Sequence, residues 1–144
     1  MNYTIALSTL VVCIVSACTP SPQEIHYGED ACRFCLMTIV DERHAAELVT
    51  TKGKAYKFDA IECLMQEMQE AGDQEYAYVL VSDYDHPRTL IDAETATYLV
   101  SPSIPSPMGA FLSAFNTGDR AIAVQKENEG QVYDWQSLQK VFHP

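Results

Sequence analysis

From residue 36 to residue 72 the spacing of apolar and polar positions changes from a strand pattern to a helical one. Leu36 to Val40 is short and partly β-branched, and Ala45 to Thr50 and Lys54 to Phe58 flank a Lys-Gly turn, which predicts a strand and then a hairpin. A helix follows at once. Asp59 stands as an N-cap with Glu62 at capping-box spacing, and Phe58 and Cys63 take the two positions of a hydrophobic staple. Ile61, Leu64, Met65 and Met68 recur at helical spacing as one apolar stripe, which assigns both methionines to the core, and Gly72 ends the helix. On the same wheel Cys63 points away from the stripe, so it either serves the staple or faces something else.

Beyond that helix, Tyr76 to Val81 reads as a buried strand, Ser82 to Arg88 as a polar turn and Thr89 to Val100 as strand again. The prolines at 102, 105 and 107 exclude regular helix or central strand there, and Pro107 is placed to open a short helix whose apolar side holds Phe111, Leu112 and Phe115. Arg120 to Lys126 and Gln131 to Tyr133 read as a second hairpin, Asp134 as a second N-cap, and Trp135, Leu138 and Phe142 as the stripe of a terminal helix. The expected fold class is α+β, built from two small β-hairpin-helix (ββα-type) halves at about 28–88 and 89–144. Each half is preceded by a loop with a methionine, Met37 or Met108.

The N-terminus changes where this domain is expected to work. Tyr3 to Ala17 is an uncharged, mostly apolar run ending Val15-Ser16-Ala17 before Cys18, the length and small-residue ending of a signal peptide and the form of a lipobox. Residues 1–17 are therefore expected to be a lipoprotein signal peptide, Cys18 the lipidated residue, 18–27 the anchor and tether, and 28–144 the folded domain. That places the protein in the bacterial cell envelope, lipid-anchored to a membrane and facing the periplasm or the exterior. A plain secretory signal or a membrane anchor is the alternative, and the absence of Lys or Arg before the run counts against every export reading alike.

Twenty acidic side chains against 9 basic ones, a formal charge of −11, exclude a nucleic-acid partner when no local basic cluster offsets them. With Cys13 removed and Cys18 acylated, the thiols left are Cys32, Cys35 and Cys63. An odd count leaves at least one sulfur free for chemistry in an exported protein.

The densest chemistry is Cys32-Arg33-Phe34-Cys35-Leu36-Met37, a CxxCxM motif. If a strand starts here, Cys35 and Met37 share a face and direct a thiolate and a thioether to one point. Such donors select Cu(I), and Met108 in its proline-stiffened loop can supply a third sulfur. Core packing alone accounts for a lone methionine such as Met37. Cys32 and Cys35 could instead be a thiol-disulfide redox pair, although redox CxxC motifs sit at helix N-termini. Zinc held by CxxC, Cys63 and a histidine such as His26 or His44 is a further alternative. No GxSxG, HExxH or phosphate-binding glycine loop is present. The soft sulfur set makes a non-enzymatic metal carrier the leading reading, with a thiol oxidoreductase and a lyase-like enzyme or metal-free scaffold as alternatives.

These motifs, in this order, resemble the NosL family, the nitrous-oxide reductase accessory lipoproteins: the lipobox, Asp30-Ala31-Cys32-Arg33-Phe34-Cys35-Leu36-Met37-Thr38-Ile39, Tyr56-Lys57-Phe58-Asp59-Ala60-Ile61-Glu62-Cys63-Leu64, and Ser106-Pro107-Met108-Gly109. The resemblance covers nearly all of the chain after the lipobox. It implies a topology similar to organomercurial lyase, a copper chaperone's role, and a client that is nitrous-oxide reductase or its assembly machinery. The family's CxM falls on Cys35 and Met37 and its PMG methionine on Met108, which gives a metal site of Cys35, Met37 and Met108 with Cys32 and Cys63 as possible additions. The sequence departs from the denitrification branch, which often has a single cysteine before Gly-Met and then a His-Pro-Gly stretch. The extra Cys32, and Asp41-Glu42-Arg43-His44, leave the acceptor open to another exported cuproprotein.

Overall fold

The computed structural model describes residues 19–142. The signal run and Cys18 lie outside the described residues. The first strand, β1 (Ala46–Thr50), is buried along its whole length because it is the centre of its sheet. It pairs antiparallel with β2 (Ala55–Phe58) through the turn at Gly53, whose φ of 83° is the left-handed conformation glycine tolerates. Helix α1 (Ile61–Ala71) follows, then β3 (Tyr76–Ser82), antiparallel to the other side of β1, and β4 (Leu90–Asp92) at the edge. The second sheet repeats the plan: β5 (Thr97–Val100) is central, pairs with β6 (Leu112–Phe115), and after helix α2 (Gly118–Asn128) takes β7 (Gln131–Tyr133) on its free side. Helix α3 (Trp135–Phe142) closes the described chain. The orders β2-β1-β3-β4 and β6-β5-β7 are thus one ββαβ unit used twice, the first with an added edge strand.

The units share one core. Leu48, Phe58, Ile61, Leu64 and Met65 of the first pack in one cluster with Tyr98, Leu112, Trp135 and Leu138 of the second. A parallel bridge between Asp83 and Ala114 joins the sheets. A smaller cluster under α2 holds Leu99, Phe115, Ala121 and Val124.

Several sequence expectations are borne out. The first hairpin, the α1 stripe and Gly72 as its C-cap are present, and Asp134 caps α3 by accepting the Ser137 amide at 2.7 Å. Others are corrected. Leu36 to Val40 is not a strand: Leu36 has a φ of 64°, incompatible with a ladder, and only Ala31 and Thr38 form an isolated bridge. The N-cap of α1 is Ala60 with no side-chain cap, because the Asp59 carboxylate is turned to the Val40 amide instead. Residues 112–115 form β6 rather than a helix, since Phe111, at a φ of 61°, interrupts any helix begun at Pro107. Arg120 to Lys126 belongs to helix α2, capped by Thr117, not to a hairpin.

Two boundaries move as well. The first sheet runs on through β4, past the expected division at 88/89. Most of the expected tether is packed on the domain: Ile25 is buried, the Gln23 amide donates to the Glu47 carboxylate at 2.7 Å, and Pro20 lies against Gly53. Glu47 is buried on the face of β1 opposite Ala46 and Leu48, and this segment covers it.

Candidate metal centre

The CxxC motif is a closed knuckle. The Cys32 amide donates to the Met37 carbonyl at 2.7 Å and the Leu36 amide returns to the Cys32 carbonyl at 3.1 Å, so residues 32–37 wrap tightly and bring both cysteines to one side. The left-handed Leu36 makes that reversal possible. The knuckle is fixed to the domain through Arg33: its amide donates to the Lys57 carbonyl at 2.8 Å, its guanidinium stacks 5.3 Å from the Tyr56 ring centre, and it reaches Glu67 on α1 at 3.4 Å. Cys63 stands in the first turn of α1 beside the knuckle. The sulfurs of Cys32, Cys35 and Cys63 all lie within 4.8 Å of one another. Cys32 and Cys63 are buried, Cys35 is half-buried, and all three are free thiols.

The surroundings assign one negative charge to this cluster. The Cys63 side chain donates a hydrogen bond to Cys32 and, with the backbone amides of Asp59, Cys35 and Phe34 turned to the same sulfur, holds the Cys32 thiol down at about 5. Cys63, as the donor to that thiolate and buried beside it, is pushed well above the ordinary thiol range. Cys35 is raised by burial, partly offset by the Met37 amide pointing at its sulfur. One thiolate and two thiols at close range are a site preformed for a soft cation.

Of the residues expected at the site, the structure brings together Cys32, Cys35 and Cys63. Met37 follows the knuckle and is 55% exposed; Met108 is 38% exposed in the turn after the third proline. Among the described residues no histidine joins the sulfurs, so the zinc alternative is not assembled. His26 is exposed beside Asp30, and His44 is buried with Nε2 3.1 Å from the Ser113 hydroxyl and Nδ1 3.0 Å from Asp41. From the sequence, Cys32 and Cys63 are only possible additions to Cys35, Met37 and Met108. Cys63 lies on α1. Its place on the helical wheel, off the core stripe, was the sign that it faces a site.

Two small antiparallel sheets with helices, and a three-sulfur cluster where the knuckle meets α1, define a compact α+β domain built around a centre suited to a soft metal. The chain belongs to the NosL family, whose model matches residues 22–142. Its fold is similar to that of the copper chaperone NosL from Shewanella denitrificans, with a TM-score of 0.69 and 21% identity, covering 81% of this chain and 93% of that one. No curated protein matches it in sequence.

Proposed function

We propose that this chain is a copper carrier that takes up Cu(I) at the sulfur cluster and passes it to an exported cuproprotein. The observation that carries this reading is the close approach of three free sulfurs with no nitrogen or carboxylate donor in the set, and the lowered pKa of Cys32 supports it. A soft monovalent ion accepts such a site with two or three ligands, whereas structural zinc takes four. Cys32 and Cys63 hold the ion from the interior and Cys35 stands at the opening. Met37 and Met108, exposed thioethers, are the uncharged donors through which an incoming ligand displaces the site. The NosL membership and the similarity to a copper chaperone support the same reading. They also suggest nitrous-oxide reductase or its assembly machinery as acceptor, with the chain held by a lipid on Cys18 in the cell envelope.

The thiol-oxidoreductase alternative is disfavoured by the arrangement of the pair. The acidic thiol, Cys32, is buried away from any substrate disulfide, and the accessible one, Cys35, has its ionisation suppressed.

The test is an anaerobic competition titration against a Cu(I) chelator. Serine at position 32, 35 or 63 should each lower affinity by about a hundredfold or more, as expected when a thiolate donor or its stabilising partner is lost. Alanine at Met37 or Met108 should cost less. Full affinity in both Cys32→Ser and Cys63→Ser would reduce the centre to Cys35 and the methionines, full affinity in Cys35→Ser would reduce it to Cys32 and Cys63, and full affinity in all three would remove the site. Mass analysis of the mature N-terminus decides the anchor: an unmodified Cys18 on exported protein rules it out.

A further inference from the structure

The loop that carries Met108 is fastened to α1 by a single carboxylate. Glu62, in the first turn of α1 and only 2% exposed, accepts a hydrogen bond from the Ser106 hydroxyl. The Ser106 oxygen in turn accepts the Phe111 amide at 2.9 Å, and the Ser106 carbonyl accepts the Gly109 amide at 3.0 Å. The Ala110 amide also faces the carboxylate. Residues 106–111 are thereby closed into a ring with Met108 at its tip, and the carboxylate that anchors the ring belongs to the residue directly before Cys63. Among the described residues, the second carboxylate oxygen of Glu62 has no hydrogen-bond partner.

A carboxylate is costly to bury, and an acid at a helix start stabilises the helix from an exposed position too. The helix supplies this carboxylate with the Glu62 amide, and the loop supplies the Ser106 hydroxyl and the Ala110 amide, so the buried position of Glu62 serves the loop as well as the helix. The β5–β6 connection spans residues 101–111, against 51–54 for the β1–β2 turn in the first unit. Its prolines limit how it can bend without deciding where its tip rests. The Ser101 amide closes the base of the loop on the Phe111 carbonyl at 3.0 Å, buried Ile104 pins its first half in the cluster under α2, and the Ser106 hydroxyl ties the segment that carries Met108 to α1.

We infer that the Glu62–Ser106 hydrogen bond is a latch that presents Met108 to the thiol cluster, making Glu62 and Ser106 positioning residues for copper. The inference rests on the reading of Met108 as a thioether ligand, and the experiment separates the two. Full-length reduced protein is titrated with Cu(I) against a chelator. Ser106→Ala should weaken binding about tenfold, the scale of one hydrogen bond or one neutral ligand, as Met108→Ala does. The double variant should be no weaker than Met108→Ala alone. Ser106→Thr and Glu62→Gln, which keep a hydroxyl donor and an oxygen acceptor, should bind as the parent does. X-ray absorption at the copper should lose the same sulfur neighbour in Ser106→Ala and in Met108→Ala.

Parental affinity in Ser106→Ala beside a weakened Met108→Ala overturns the latch and leaves Met108 a ligand. Additive losses in the double variant overturn it as well, because Ser106 would then act on the fold and not through Met108. Parental affinity in Met108→Ala removes the ligand reading and the latch with it.

Discussion

The sharpest test of the thiol cluster needs no metal. Because Cys63 donates to the Cys32 sulfur, and three backbone amides point to the same atom, one thiol of the reduced protein should titrate at about 5. At about pH 7 an ordinary thiol with a pKa of roughly 8.5 is about 3% ionised, whereas this one would be about 99% thiolate. Cys63→Ala deletes one donor to a charged acceptor, worth about 1.5–3 kcal/mol, and at 1.36 kcal/mol per pH unit the midpoint should rise by about one to two units. It should remain below the ordinary value, since the amides stay in place. Thiolate ultraviolet absorbance against pH, read in the parent and in Cys63→Ala, measures both midpoints.

Stability should follow the same titration. The folded-state pKa of Cys32 is depressed, so its contribution is complete above the unfolded value of roughly 8.5 and is lost as pH falls through about 5. Cys35 and Cys63 are raised, so above the ordinary thiol range the unfolded chain ionises where the folded one does not, and stability declines again. Within the range set by the thiols, the denaturant midpoint of the reduced protein should peak near pH 8 to 9, roughly the unperturbed thiol value. A single midpoint near 8.5 for all thiols, unchanged by Cys63→Ala, would refute the cluster's hydrogen bonding.

Two further outcomes concern the backbone. Leu36→Gly should leave stability unchanged or raise it by about 0.5 kcal/mol, because the left-handed conformation costs a non-glycine residue about 1–2 kcal/mol and the added chain entropy offsets only part of that gain. The Leu36 side chain is 78% exposed, so little packing is lost, and a destabilisation above about 1 kcal/mol by urea unfolding would show that it packs after all. Gly130→Ala should destabilise by about 3 kcal/mol or more. Gly130 has a φ of 102°, and a Cβ there would lie 2.3 Å from the Val100 carbonyl oxygen and 2.9 Å from the Ser101 Cα, both backbone atoms that cannot move aside; a thermal midpoint near the parent's would contradict this.

Elements whose local chemistry agrees with their surroundings were legible in the sequence. The Gly53 turn, the Ile61, Leu64 and Met65 stripe and the Asp134 cap each depend on residues within one turn of the chain. The failures came where distant contacts prevailed. Asp59 has the spacing of a capping residue, but its amide faces the Cys32 sulfur and its carboxylate the Val40 amide, so the knuckle takes it from the helix. Residues 121–124, Ala-Ile-Ala-Val, are apolar throughout and give no period, which hid α2. With α2 read as a strand, the internal repeat was visible but displaced: the second unit is β5, β6, α2 and β7, not the hairpin and helix at the C-terminus. At the site, a left-handed leucine gives no sequence sign of a tight reversal, so residues that form a knuckle read as the start of a strand.

The displaced repeat bears on how the proposed carrier holds its cargo. Both units have the same topology, yet every thiol of the cluster comes from the first or from the knuckle that precedes it, while the second has an enlarged hairpin loop carrying a thioether. Charge gives a reason for that division. The cluster lies beside the buried carboxyl of Asp59, pushed upward by burial and by the charge at Cys32, and Cys63 resists ionisation because it donates to the Cys32 sulfur. Each additional thiolate on a monovalent ion would add negative charge to an interior that already disfavours it. A methionine adds a soft donor without charge and, on an exposed loop, one that can be exchanged. Under the proposed function, a first unit gripping through anionic sulfur and a second closing through neutral sulfur would suit a site that must bind copper and also let it go.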